Sequence, residues 1–249
     1  MKSILTWSAA LACLAAGGAL AAEIRVLSAG AVEPGLAGLI PAFERETGHK
    51  VNAAFATAPA IRKRISEGEV VDVIVAPPAL LDELVKGGKA AAANRIAVGR
   101  VGVGVAVRDG APVPRIGSVE ELKQSLLDAE SVVYNEASTG IHVAGLLERL
   151  GIAERLKTRT TRYPDGAAVL GHLARGKGKE IGFAATTEIV AYGKKGVKLV
   201  GPLPPEVQSY TSYAATALAA GAAAEAAQAF VRYLTAPQAR AALAAGGVE

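Results

Sequence analysis

Residues 23–74 read EIRVLSAGAVEPGLAGLIPAFERETGHKVNAAFATAPAIRKRISEGEVVDVI, and this stretch decides the fold. Its apolar side chains recur at the spacing of one helix face at Leu36, Leu39, Ile40 and Phe43, and the short apolar runs around this helix predict strands. The order is therefore strand, turn, helix, strand, helix, strand. Two such turns from neighbouring parallel strands place helix N-termini at one edge of the sheet, where free backbone N–H groups favour an anion.

The same alternation of strands and helices continues to the end of the chain. Val98–Val107 predicts a long strand, and small-residue turns follow later strands at Asn135–Gly140, Pro164–Gly166 and Thr186-Thr187, the last of which is expected to cap a helix. We predict an α/β fold with two lobes, each a mostly parallel sheet flanked by helices, with hinge strands between them. The predicted limits are 23–98 plus 205–249 for lobe 1 and 99–204 for lobe 2. Periodicity alone does not separate this arrangement from one larger Rossmann-like domain.

The N-terminal segment predicts export. Met1–Ala22 combines Lys2, a long apolar stretch and small residues at Ala19 and Ala21, which is typical of a secretory signal peptide cleaved near Ala21/Ala22. Cys13 is the only cysteine and lies inside this segment, in a poor lipid-attachment pattern. The exported chain is therefore expected to form no disulfide and no thiolate metal site.

Composition and motifs narrow the function classes. The formal net charge is +4, aromatic residues make up 4% of the chain, and the basic residues are scattered, so a nucleic-acid groove is not expected. Three histidines, His49, His142 and His172, share no metal-ligand spacing. The sequence has no GxSxG, GxxxxGK[ST] or helix-opening GxGxxG motif, so we expect no enzyme and no cofactor.

Several stretches resemble the periplasmic molybdate-binding proteins, which are type II solute-binding proteins of ABC importers. The similar stretches are Val26–Ala31, Phe43–Gly48, Phe55–Ala58, Val71–Ile74, Glu180–Phe183, Gly196–Val200 and Ala229–Ala239. The resemblance covers nearly the whole mature chain. It implies a two-lobe periplasmic binding protein, a monomer, that captures a small anion and hands it to a membrane permease.

The resemblance also implies which residues line the pocket. In that family, oxyanion oxygens are held by two serines, one tyrosine and backbone N–H groups. These hydroxyl positions fall on Ala31, Ala58 and Ala185 here. A hydrogen bond to a charged group contributes about 1.5–3 kcal/mol, so three lost donors disfavour molybdate. A small organic acid is the expected ligand instead.

The candidate ligand-binding residues lie in the turns after the strands. Arg62 follows the second turn and could bind a carboxylate with two N–H groups, although a solvated arginine would explain its position equally well. Ser138, Thr139 and Gly140 offer hydroxyl and N–H donors, which helix capping would equally explain. The full predicted set is Gly30, Ala31, Thr57, Ala58, Arg62, Ser138, Thr139, Gly140, His142, Ala167, Ala185 and Thr186.

Three functions remain open from the sequence. The first is an exported binding protein that delivers a carboxylate to an importer, with closure of the two lobes around the ligand. The second keeps molybdate, tungstate or another tetrahedral oxyanion, bound through backbone N–H groups alone. The third, an exported enzyme on the same fold, is the least favoured because no nucleophile stands beside a base in any motif.

Overall fold

A computed structural model describes residues 21–90, 95–218 and 223–249. The predicted signal peptide, including Cys13, lies outside these residues except for its last two positions. No helix within the described ranges is both long and apolar enough to span a membrane.

The structure contains alternating strands and helices, as the sequence predicts. The first part of the chain holds β1 (Glu23–Ala29), α1 (Glu33–Thr47), β2 (Lys50–Ala56), α2 (Ala58–Ser66), β3 (Val73–Ala76) and α3 (Pro78–Lys86). The middle holds β4 (Ile96–Arg108), α4 (Val119–Asp128), β5 (Ser131–Asn135), α5 (Ser138–Arg149), α6 (Ala153–Leu156), β6 (Thr160–Tyr163), α7 (Gly166–Arg175), β7 (Glu180–Ala185), α8 (Thr186–Ala191) and β8 (Val197–Pro202). The chain closes with β9 (Tyr210–Ala217), α9 (Ala224–Tyr233) and α10 (Pro237–Ala245).

The strands form two parallel groups joined by antiparallel strands. The strand order is β2-β1-β3-β9-β4-β7-β5-β6, with β8 also paired to β4. Strands β1, β2 and β3 pair in parallel, as do β5, β6 and β7. The long strand β4 pairs with β9 over Ile96–Gly102 and with β7 over Val103–Ala106, so it runs from one parallel group into the other. The predicted α/β fold with two sheet-based lobes is confirmed.

Each parallel group is covered by helices on both faces. Buried side chains of β1 pack on one face against α1 and α9, and on the other against α2 and α3. In the second group, α4 and α5 cover one face, and α7 and α8 cover the other. Apolar burial on both faces explains why strands such as β3 read as continuous apolar runs.

Local signals set several helix ends as predicted. Gly48 ends α1 in the left-handed conformation at φ 74°, which a glycine adopts without steric cost. Ser118 caps α4 by accepting a hydrogen bond from Glu121 N at 3.2 Å. Strand β3 begins at Val73, three residues later than the apolar run Val70–Val75 suggests, and the buried side chain of Asp72 just before it forms an ion pair with Arg25.

Candidate functional site

The carboxyl ends of all six parallel strands border one cavity of about 140 Å³ between the two strand groups. Residues that follow β1, β2 and β3 line one side, and residues that follow β5, β6 and β7 line the other. Ligands of open α/β sheets bind at this edge. The cavity has room for on the order of ten water molecules, which is the size of a small organic acid.

A buried asparagine shapes the start of α5. The side-chain oxygen of Asn135 accepts hydrogen bonds from the backbone N–H of Ala137 at 3.0 Å and of Gly140 at 3.1 Å. This places Ser138 and Thr139 at the cavity in the first helical turn, with no side-chain hydrogen bond from the N-cap Ala137. First-turn N–H groups have no intrahelical acceptor, so they can bind an anion.

The start of α7 faces the same cavity. Asp165 caps this helix, and its Oδ1 accepts a hydrogen bond from Ala168 N at 2.7 Å. Gly166 and Ala167 occupy the first turn and line the cavity. Across the cavity, Thr57 is the N-cap of α2 and makes no side-chain capping bond, and Ala58 is the first helical residue. Three helices of nine or more residues therefore begin at the cavity.

Glu188 brings a carboxyl group to the cavity. Its Oε2 accepts a hydrogen bond from the backbone N–H of Ala185 at 3.3 Å, which is half of a capping box at the start of α8. Burial, with a smaller contribution from the nearby carboxylates of Asp165 and Glu33, raises the pKa of Glu188 to about 7, although the hydrogen bond from Ala185 N–H acts to lower it. The Glu188 residue is partly exposed to solvent, because it borders the cavity, and the rest of its surface is covered by protein.

Two glycines make space for this carboxyl. A Cβ atom at Gly166 would lie 2.2 Å from Glu188 Oε2, and one at Gly30 would lie 3.1 Å from Oε1. Gly30 follows β1, whereas Gly166 begins α7, so the carboxyl sits between the two strand groups. Neighbouring Thr187 also links them, since its Oγ1 donates a hydrogen bond to Ala31 O at 2.6 Å.

The remaining walls are mostly apolar. Phe55, Ala56 and Pro77 line the cavity from the first group, and Tyr213 lines it from β9. Burial raises the pKa of Tyr213 above its usual value, so its phenol stays protonated at neutral pH. None of the cavity-lining residues in the described ranges is a lysine, arginine or histidine. Backbone dipoles rather than cations must therefore attract a negative ligand.

Eight of the twelve predicted residues lie at the cavity. They are Gly30, Ala31, Thr57, Ala58, Ser138, Thr139, Ala167 and Ala185. All lie at the carboxyl end of a strand or within the first residues that follow it, where position in the sequence alone predicts convergence.

Four predicted residues lie elsewhere. Arg62 falls in the second turn of α2 because that helix begins at Ala58, and its guanidinium pairs with Glu83 at 2.8 Å. His142 Nε2 bonds to Val207 O at 2.8 Å. Gly140 is buried against the backbone of Asn135 in the first turn of α5. Thr186 packs beside Gly104. The expected cap of α8 is also corrected: Ala185 is the N-cap, and Thr186 and Thr187 lie inside the helix.

Sequence reasoning missed five polar residues at the cavity, namely Glu33, Asn135, Asp165, Glu188 and Tyr213. The sequence did contain a signal for Asp165. An aspartate directly before an apolar helix pattern is a typical N-cap, and here it follows a strand, so it is expected at the same sheet edge as the other turns. Glu188 resembles an ordinary capping-box glutamate, and its burial depends on residues distant in sequence. Tyr213 lies within a strand pattern, so nothing local marks it as a cavity residue.

The sequence that forms this fold matches one protein family over nearly the whole of its described part. Residues 24–249 match the family model for bacterial extracellular solute-binding proteins. The chain belongs to this family. The match includes every residue that lines the cavity.

A relative of known activity overturns one expectation. The chain is 30% identical over 235 residues to the aconitate isomerase of a Pseudomonas species, covering 91% of this chain and 87% of the relative. Because that relative is an enzyme, the prediction that this protein is not an enzyme is wrong.

Solved structures support the fold at low sequence identity. The periplasmic molybdate-binding protein of Azotobacter vinelandii has a TM-score of 0.75 at 18% identity, with 91% of this chain and 98% of that chain covered. The structure of PEB3 with bound L-phospholactate has a TM-score of 0.69 at 12% identity, with 90% and 98% covered. The resemblance to periplasmic binding proteins is thereby confirmed at the level of fold.

Proposed function

We propose that this protein is a periplasmic isomerase of a small unsaturated polycarboxylic acid, which it binds in the cavity between its two lobes. One observation carries the proposal. A protonatable carboxyl group, Glu188, lies in the same cavity as the first turns of three helices. The helix starts can hold carboxylate groups, and the carboxyl group can exchange protons with the ligand's carbon chain.

The donors around the cavity suit carboxylates. The first turns of α5 and α7 face it from one lobe and that of α2 from the other, so a ligand with carboxylates at both ends can contact both lobes. Each hydrogen bond to a charged oxygen contributes about 1.5–3 kcal/mol. The hydroxyl groups of Ser138, Thr139 and Thr57 add donors near these N–H groups.

The apolar walls favour an organic acid over a tetrahedral oxyanion. Ala31, Ala58 and Ala185 present methyl groups where hydroxyl groups would hold a metal oxyanion, and Phe55 adds an aromatic surface. Apolar side chains gain by covering the carbon atoms of a ligand and gain nothing by covering oxygen atoms. Kinship with an aconitate isomerase supports an unsaturated tricarboxylate as the substrate class.

A second function rests on the two-lobed construction. The lobes are joined through β4 and β9, and ligand contacts come from both sides, which is the arrangement of proteins that close around a solute. Capture of the same acid for a membrane permease is therefore a second candidate. An importer would be expected to recognise the closed form.

The test is a thermal-shift screen combined with proton NMR on the mature chain from residue 22. The panel contains cis- and trans-aconitate, the saturated analogue tricarballylate, citrate, molybdate, tungstate and sulfate. A ligand at a hundredfold excess over Kd adds about 2.7 kcal/mol of stability, which a melt resolves. We expect stabilisation by the tricarboxylates, and interconversion of the two aconitates in the NMR spectra.

A pair of substitutions at Ala167 tests whether the ligand binds in this cavity. Ala167→Asp places a carboxylate at the cavity in the first turn of α7, where it favours the helix but repels the ligand, so we expect binding to be lost without loss of folding. Ala167→Asn has the same shape without the charge and should retain binding. Arg62→Ala should also retain binding because Arg62 pairs with Glu83.

The outcomes separate the candidates. Stabilisation by molybdate or tungstate alone would refute the organic-acid proposal in favour of oxyanion binding. Stabilisation by tricarboxylates without interconversion of any unsaturated acid would refute the isomerase and leave solute capture.

A further inference from the structure

Glu188 is the best-placed group in the cavity for moving a proton. Among the described residues, the cavity-lining carboxyl groups are those of Glu33, Asp165 and Glu188. Asp165 is occupied as the cap of α7, and Glu33 is exposed at the start of α1. His142 bonds to Val207 O outside the cavity, and the one cysteine of the sequence lies in the predicted signal peptide.

The residues around Glu188 accommodate its carboxyl group in a defined position. Gly30 and Gly166 leave the space that its two oxygens occupy, and Ala185 N–H holds Oε2. The space is left by one residue after β1 and one at the start of α7, and the hydrogen bond comes from the N-cap of α8, so the carboxyl group lies at the junction of the two lobes. A group that acts on a reacting carbon requires such fixed geometry.

Resting on the proposed function, we infer that Glu188 is the catalytic residue that transfers the proton during isomerisation. As a carboxylate, Glu188 removes a proton from a saturated carbon next to the double bond of the bound acid. That C–H bond breaks, and its electron pair spreads over the three-carbon unit and the attached carboxylate. Glu188 then returns the proton to the far carbon, a new C–H bond forms, and the double bond has moved by one position. Nothing is oxidised, and the carboxylate is regenerated.

The electrostatics of the cavity agree with this role. A pKa of about 7 leaves Glu188 partly ionised at neutral pH, so it can both accept and donate a proton. The groups that face it are the carboxylates of Asp165 on α7 and Glu33 on α1, and the phenol of Tyr213 on β9. The first-turn N–H groups of α5 and α7 can stabilise the negative charge that develops on the substrate carboxylate.

The experiment compares Glu188→Gln, Glu188→Asp and Glu120→Gln. Glu120 is the matched control, since it is also a glutamate in the first turn of a helix but is exposed and distant from the cavity. Three quantities are measured for each protein: stabilisation by trans-aconitate, kcat for interconversion, and exchange of the acid's C–H protons with D2O. The pH profile of kcat/KM is recorded for the wild type and for Glu188→Asp.

We expect Glu188→Gln to bind the acid and to lose about 10²–10⁴-fold in kcat, together with the exchange of protons. Glu188→Asp should recover part of the rate, and Glu120→Gln should match the wild type. In the wild type, kcat/KM should depend on pH through one group that titrates near pH 7 in the free enzyme.

Two results would overturn the inference. One is a Glu188→Gln protein that binds and retains the wild-type kcat. The other is a wild-type protein that binds the acid but neither isomerises it nor exchanges its protons. The second result leaves acid binding intact, whereas absence of any tricarboxylate binding refutes the proposed function itself.

Discussion

At the scale of single residues, glycines determine what the cavity contains. Gly166 and Gly30 leave room for the carboxyl group of Glu188, and Gly140 lets the chain pass Asn135 closely. A Cβ atom at Gly140 would lie 1.4 Å from the Asn135 carbonyl oxygen. These glycines are required by close approach rather than by positive φ, since the structure gives neither Gly30, Gly140 nor Gly166 a positive φ.

Stability should fall as the pH rises through the titration of Glu188. Its folded pKa of about 7 lies above the ordinary 4.5, so the folded state holds the proton more tightly and loses stability between about pH 4.5 and pH 7. The loss approaches about 3 kcal/mol at most, and water in the cavity reduces it. Glu188→Gln should remove this loss and melt higher than the wild type at pH 8. Equal pH dependence in the two proteins would contradict the assignment.

A pair of substitutions in α5 tests the close approach at Gly140. Gly140→Ala should destabilise the protein by at least about 1–3 kcal/mol, because the methyl group overlaps the Asn135 carbonyl. Gly145→Ala in the same helix meets only the end of the flexible Arg149 side chain and should stabilise by about 0.5–1 kcal/mol. Urea denaturation measures both, and similar effects of the two substitutions would contradict the argument.

At the scale of elements, the cavity is made by helix starts. Helices α2, α5 and α7 begin there because each follows a parallel strand that ends at the same sheet edge. The N-caps differ, since Asp165 caps α7 with its side chain whereas Thr57 and Ala137 make no side-chain capping bond. In α5, however, the side chain of Asn135 accepts from Gly140 N, and in α2 the second helical residue is Pro59, which has no N–H. Each of the three helix starts therefore keeps only part of its first-turn N–H groups for a ligand.

The cap of α7 should also influence Glu188. Asp165→Asn keeps a good N-cap but removes a negative charge that raises the pKa of Glu188, so that pKa should decrease. Asp165→Ala should have the same effect on the pKa and, in addition, cost about 0.5–2 kcal/mol of stability. Carbon-13 NMR titration of the Glu188 carboxyl measures the pKa. An unchanged pKa in both variants would show that Asp165 does not act on this carboxyl group.

At the scale of the whole molecule, two sheets share strands and face each other across the cavity. Strand β4 changes partners from β9 to β7 between Gly102 and Val103, and this change lies close to the predicted boundary between the lobes. The bond from Thr187 to Ala31 links the lobes beside Glu188. Relative motion of the lobes about β4 and β9 would open and close the cavity.

Ligand binding should make the molecule more compact. An acid held by helix starts from both lobes favours the closed form, so small-angle scattering should show a smaller radius of gyration with tricarboxylate than without it. The Ala167→Asp protein should show no change under the same conditions. A wild-type protein that binds the acid with an unchanged radius would refute ligand-driven closure.

The sequence by itself determined the elements and the edge at which they meet. Apolar periodicity predicts α1 from Leu36 to Phe43, Gly48 ends that helix, and strand-end turns predict that Gly30, Thr57, Ser138 and Ala185 converge. These features depend on residues close together in the chain, so a local pattern carries them.

Only the tertiary structure decided the chemistry of the cavity. Arg62 pairs with Glu83 instead of lining the cavity, because the exact start of α2 sets the direction of its side chain. Glu188 lies between Gly30 and Gly166, which are 158 and 22 positions away in the sequence. A pKa depends on desolvation and on neighbouring charges, and both are set by packing of segments that are distant in the chain.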